Sequence, residues 1–147
     1  DKAVTQQSPI FQPYFGGQEV SVDAYISSEK KVMGVVCRTR DLVIQGESQV
    51  TTTIQDSDLE KFSTAFLESL DFYGHVVLQI IKDSSQQYHI IECNSRFGGA
   101  STLSIAAGLD SFYWFLLESN GTSIDTYPFV KAQKELKQVR YPSDVLI

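Results

Sequence analysis

Residues 74–94 constrain the fold more tightly than any other part of the chain. Gly74-His-Val-Val-Leu-Gln79 opens an apolar run that reaches about Ile81, and Tyr88 to Asn94 forms a second. Lys82-Asp-Ser-Ser-Gln-Gln87 between them is turn chemistry. Two such runs around a polar turn predict an antiparallel hairpin. With Ser84 to Gln87 as its loop, Asp83 pairs Tyr88, Ile81 pairs Ile90, and Gln79 falls opposite Glu92. Side chains alternate faces along a strand, so one face carries Val76, Leu78, Ile80, Ile91 and Cys93, all apolar. The other carries Val77, Gln79, Ile81, Ile90, Glu92 and Asn94. A one-residue slip would break this sorting.

The polar face leads into Ile-Ile-Glu-Cys-Asn-Ser-Arg-Phe-Gly-Gly at residues 90–99. Glu92 and Asn94 point the same way, Arg96 follows just beyond, and a glycine pair closes the stretch. A carboxylate, an amide oxygen and a guanidinium in this order suit a hard cation and the anion it neutralises. Gln79, Glu92 and Asn94 offer only oxygen ligands, which fits Mg²⁺ sharing its shell with water and phosphate. Cys37 and Cys93 are far apart and His75 and His89 lack metal-ligand spacing, so no Cys/His cluster competes. The plain alternative is a half-polar strand with a solvated tip.

Elsewhere, alternation over residues 19–27, turned back at 27–30 into residues 31–40, predicts another antiparallel hairpin nearer the start of the chain. Arg38 and Arg40 close its second strand; surface solvation and a role near a site are both open for them. The polar stretch 41–53 reads as a mobile loop. Ser57 and Glu60 form a capping-box pair, and Leu59, Phe62, Phe66 and Leu70 follow at helical spacing. Residues 101–107 read as a short helix beside Gly98-Gly99, which either receives an anion or simply connects strand to helix. Asp110 is placed to cap a helix over the aromatic run 112–117, with Gly121 as its C′ residue. Residues 130–138 read as helix or loop, and 138–141 as a closing strand. The fold class is α+β: an antiparallel sheet including residues 19–27, 31–40, 75–81 and 88–94, with helices packed on one face.

With 147 residues, 42% of them hydrophobic and 12% aromatic, the whole chain 1–147 reads as a single domain. A formal charge of −6 argues against nucleic acid, whose binders carry a basic patch. The absence of a run of 18 apolar residues, a signal peptide or a cysteine framework predicts a chain without a membrane partner, in the reducing cytoplasm. No nucleophile is aligned with a base in a Ser-His-Asp or Cys-His pattern.

Three stretches together resemble the C-terminal part of the ATP-grasp superfamily, in particular the carbamoyl-phosphate synthetase large subunit and biotin-carboxylase-like ligases. They are Phe11-Gln-Pro-Tyr-Phe-Gly-Gly-Gln-Glu-Val-Ser-Val-Asp23, Gly74 to Gln79, and Ile91-Glu-Cys-Asn-Ser-Arg-Phe-Gly-Gly-Ala-Ser101 followed by Ala107-Gly-Leu-Asp110. The resemblance implies ATP and two Mg²⁺ ions as cofactors, with Glu92 bridging the ions and Gln79 and Asn94 as further ligands. It implies Arg96 on phosphate, Gln12, Pro13 and Tyr14 along the adenine, and Glu19 on the ribose. Ser95 stands where the family usually has proline and Cys93 where it has an aliphatic residue, and neither change removes a ligand. The implied activity joins a small-molecule carboxylate or bicarbonate to an amine through an acyl phosphate. The family's glycine-rich loop and phosphate lysines belong to preceding subdomains, so the chain reads as a fragment whose N-terminal subdomains are its partners, and weak ATP affinity is expected of it alone. Oligomeric state and the identity of the substrates stay open. Two alternatives remain: a non-catalytic nucleotide-binding module, or an interaction domain in which Glu92, Asn94 and Arg96 form an internal salt-bridged cap.

Overall fold

The axis of the molecule is a ten-residue strand, β1 (Gly17–Ile26), hydrogen-bonded on both sides. The computed structural model describes residues 10–141. In chain order the other elements are β2 (Val32–Thr39), β3 (Leu42–Ile44), β4 (Glu47–Ile54), α1 (Ser57–Glu68), β5 (Gly74–Asp83), β6 (Tyr88–Asn94), α2 (Ser101–Ala106), α3 (Ser111–Ser119) and β7 (Lys137–Val139). The strands form one antiparallel sheet in the order β3-β4-β2-β1-β5-β6, with β7 added alongside β4. The α+β class and both hairpins are as the alternation requires.

The two faces of the sheet have different contents because β1 alternates. Val20, Val22, Ala24 and Ile26 face one way and join Val35, Cys37, Val76, Leu78 and Ile80 in a buried cluster. Helix α1 covers that face with Leu59 and Leu67, supported by Phe62 and Phe66. Burying each leucine contributes about 1.5–3 kcal/mol. The expected one-sided helix packing describes α1. Helices α2 and α3 belong to the opposite side, where Tyr25 and Val36 pack with Ala107, Leu109, Trp114 and Ile124. Cys37 and Cys93 are free thiols. Burial pushes both thiols up from their ordinary range.

Four local readings are corrected. The stretch expected as a mobile loop holds β3 and β4, turning at Gln45-Gly46, both at positive φ. The cap of α1 is Asp56, whose carboxylate accepts from the Leu59 N–H at 3.0 Å; Glu60 pairs with Lys131 instead. Asp110 precedes α3 without a side-chain cap bond. In the β5–β6 hairpin Gln79 does face Glu92, but an irregularity follows, so that Ile80 pairs Ile90 and Lys82 pairs Tyr88. That bulge turns Ile90 away from the polar face and onto the core.

Candidate functional site

The polar face of the sheet carries a row of side chains crossing four strands. Arg38 on β2 pairs Ser21 on β1, Ser21 pairs Gln79 on β5, and Gln79 pairs Glu92 on β6. In the next row Val36, Asp23, Val77 and Asn94 follow one another in the same way. Gln79, Glu92 and Asn94 therefore share a face, brought together by register alone. None of the three makes a side-chain hydrogen bond or ion pair within the described residues, and Glu92 is exposed. Among the described residues Arg96 donates only to the carbonyl of Phe97, at 3.2 Å, and meets neither Glu92 nor Asn94. The internal salt-bridged cap is thus not formed. Two amide oxygens and one carboxylate without protein partners fit a hydrated divalent cation. Among the described residues no group of three His, Cys, Asp or Glu side chains offers another metal site.

A cleft of about 140 Å³ opens on this face, lined by Ser21, Arg38, Arg40, Gln79, Asn94 and Arg96 and floored by Gly98 and Gly99. Its rigid support is a buried carboxylate. Asp23 is fully buried and accepts from Arg38 Nε at 2.7 Å, from the Ser104 hydroxyl at 2.9 Å and from the Ser101 hydroxyl. A carboxylate can only accept, so His75 presents Nε2–H to it at 3.2 Å, with Nδ1 held against Ser111 at 2.9 Å. Burial alone would raise the Asp23 pKa. Arg38, His75 and Ser101 outweigh it and hold the carboxyl well below the usual carboxylate range. Ser101 also accepts from the Gly98 N–H at 2.9 Å, which fastens the glycine loop to the same anchor. Phe97 is sandwiched between the His75 ring at 4.2 Å and the Phe112 ring at 3.7 Å, which sets the path of the chain beyond Arg96.

The other implied residues lie at the edges. Glu19 is bonded by Arg40, which also donates to the Gly46 carbonyl at 2.8 Å. Gln12 reaches across to the Ile91 carbonyl at 3.1 Å, and Phe15 stacks on His89 at 3.8 Å, so the entering segment crosses β6. Pro13 is exposed and Tyr14 is 94% exposed. Arg38, left open between solvation and function, is buried. The Asp23 anchor and Arg140 are absent from the sequence reading. A readable signal existed for Asp23: an ionisable residue in the middle of a strand whose other face is apolar requires a partner.

No curated protein matches the chain. Solved structures give the fold. The biotin carboxylase domain of Hydrogenobacter thermophilus 2-oxoglutarate carboxylase, in complex with MgADP, ADP and bicarbonate, superposes with a TM-score of 0.68 at 11% identity, over 82% of this chain and 28% of that one. Biotin carboxylase from Campylobacter jejuni, in a β-γ-ATP complex, gives 0.66 at 14% identity, over 84% and 30%. N5-carboxyaminoimidazole synthase from Aspergillus clavatus, in complex with ADP and 5-aminoimidazole ribonucleotide, gives 0.63 at 12%, over 82% and 34%. The chain thus spans about a third of the length of each. No helix among the described residues is long and apolar enough to cross a membrane. The sequence itself matches, over residues 5–142, the model of the family described as ATP-grasp in the biosynthetic pathway with Ter operon, and the chain belongs to that ATP-grasp family.

Proposed function

We propose that the chain supplies the metal-binding half of the ATP site in an ATP- and Mg²⁺-dependent ligase that joins a carboxylate, or bicarbonate, to an amine. The observation that carries this reading is the Gln79–Glu92–Asn94 face, whose side chains have no polar partner among the described residues, with Arg96 beyond it, in a member of an ATP-grasp family. A carboxylate oxygen of the substrate attacks the γ-phosphorus, the bond to the β,γ-bridging oxygen breaks, and ADP leaves. The amine then attacks the acyl carbon, phosphate departs, and the amine proton passes to solvent or a base. Gln79, Glu92 and Asn94 would hold two Mg²⁺ ions, whose contribution is to neutralise phosphate charge. Arg96 would orient the transferred phosphoryl group and stabilise its developing charge. Gln12, Pro13 and Tyr14 lie along the adenine and Glu19 meets the ribose. These residues grip the nucleotide from one face, so by themselves they would hold ATP weakly.

The test is Glu92→Gln in the full-length protein. It removes the one carboxylate of the trio from an exposed position, so the melting temperature should stay within a degree or two. The rate of ADP release should fall by well over tenfold, which is more than about 1.4 kcal/mol of barrier. An unchanged rate with a lowered melting temperature would make Glu92 structural and remove the basis of the ligase reading.

A further inference from the structure

The chain has four arginines in a formal charge of −6, and all four gather at the one cleft. Arg38, Arg40 and Arg96 line it. Arg140 lies over its floor, where a Cβ on Gly99 would come within 2.8 Å of Arg140 Nη2, and Nη1 bonds the lining residue Glu47 at 3.0 Å. Three of the four are held by a carboxylate: Arg38 by Asp23, Arg40 by Glu19 and Arg140 by Glu47. A guanidinium has five donors, so such a grip fixes its direction and leaves others unused.

The unused donors are of two kinds. Both Nη groups of Arg38 lack a hydrogen-bond partner among the described residues, but they are not among the buried unpartnered atoms, and Arg38 lines the cleft. Arg40, 8% exposed, has a buried Nε with no hydrogen-bond partner among the described residues. Leaving a buried donor unpaired is costly, and folded proteins satisfy nearly all of them. Donors left open on side chains that line a cleft point to a bound acceptor. One carboxylate fills a single guanidinium fork, and Arg96 is already committed to the phosphoryl group. The Arg38 fork, Arg40 and Arg140 exceed what one activated carboxylate requires.

We propose that the acyl substrate is a small polycarboxylic acid: one carboxylate lies at the Gln79, Asn94 and Arg96 end for activation, and a second is held by Arg38 and Arg40. The substrate role rests on the ligase reading above; the anion site rests on the arginines alone. Size agrees, since the cleft's volume of about 140 Å³ is close to that of a cavity of roughly 150 Å³ that takes a benzene-sized molecule, which is room for a short acid.

Calorimetric titration of the full-length protein with acetate, succinate, citrate and inorganic phosphate, without nucleotide, tests the site. Succinate or citrate should bind at least tenfold more tightly than acetate. Arg40→Gln, and Arg38→Lys, which keeps a cation beside Asp23 but loses the fork, should each weaken that binding by tenfold or more. Lys134→Gln, which removes an exposed charge elsewhere, should leave it within twofold. Equal affinity for acetate and succinate overturns the proposal. So does polycarboxylate binding that ignores both arginine variants in proteins that melt normally, or binding of phosphate with none of the acids. Selective, arginine-dependent acid binding in a protein whose ADP release ignores Glu92 supports the site and overturns only the ligase reading.

Discussion

Asp23 shows how one side chain ties fold to function. It sits on the central strand, with Arg38 on one neighbouring strand, His75 on the other, and Ser101 and Ser104 on the helix after the glycine pair. A buried charge with this many donors is stable only while all remain, because removing one partner strands the others. Asp23→Asn keeps the shape and leaves the Arg38 cation buried without its counter-charge. At pH 7 it should cost about 3–5 kcal/mol in urea unfolding. The dependence on pH has a definite sign. The folded-state pKa is depressed, so the carboxylate's contribution is complete above its unfolded value of about 3.9 and is lost as pH falls further. The stability gap between wild type and Asp23→Asn should therefore narrow below about pH 4. A gap that stays constant down to pH 2.5 would mean the carboxylate is not the group that matters.

At the scale of elements, the entry to α1 offers a comparison between two caps. Asp56 accepts from the Leu59 N–H, from Lys82 Nζ at 3.0 Å and from the Tyr88 hydroxyl at 3.1 Å. It fixes the helix start and fastens it to the second hairpin. Asp56→Ala should cost about 1–2 kcal/mol, and Ser57→Ala should stay within about 0.5 kcal/mol. Denaturation midpoints for the two variants check this, and the reverse order would restore the Ser57–Glu60 cap. The capping-box pattern was misleading because Ser57 follows an equally good cap residue, and only tertiary partners choose between them. The strands β1, β2, β5 and β6 were legible because β1 alternates apolar with polar residues and the others are apolar runs bounded by turn residues. Strand β4 was hidden because its buried positions include Thr51 and Thr53. The Thr51 hydroxyl donates to the Thr39 carbonyl at 2.6 Å, and the Thr53 hydroxyl accepts from the Leu136 N–H at 2.8 Å. Polar residues satisfied by backbone can face inward without disturbing the sheet, and hydropathy does not register them. The β-branched run Val50-Thr-Thr-Thr-Ile54 was the available signal. The Gln79–Glu92 pairing was legible, whereas the arginine cluster was not: Arg38, Arg40, Arg96 and Arg140 meet only after β2, the glycine loop and β7 are folded together.

At the scale of the whole molecule, the site depends on a long return of the chain. After α3 the chain runs back along β2 and β4 to deliver Arg140 to the cleft. Its path is held by the β4–β7 ladder, by side-chain bonds such as Lys131–Glu60 and Thr102–Gln138, and by three backbone bonds. The Ala132 N–H bonds the Ala107 carbonyl at 2.9 Å, Thr53 and Leu136 share a backbone bond of 2.8 Å, and the Arg140 N–H meets the Gln49 carbonyl at 2.9 Å. Gly108 sits where this return crosses the α2–α3 junction. Its φ is +103°, and a Cβ there would fall inside the Val130 carbonyl oxygen, a backbone atom with little freedom to retreat. Gly108→Ala should therefore lower stability by about 2–4 kcal/mol, combining the strained backbone with the overlap. The loss should be uneven. Hydrogen exchange should quicken at Ala132, Leu136 and Arg140, whose bonds depend on the return path, and hardly change along β1 and β5, which are paired over ten residues. Succinate or citrate affinity should fall with the loss of Arg140, while the Gln79–Glu92–Asn94 face stays in register. Exchange that quickens evenly across the sheet would show instead that the return is part of one cooperative core, and that the arginine cluster cannot be loosened without unfolding the strands beneath it.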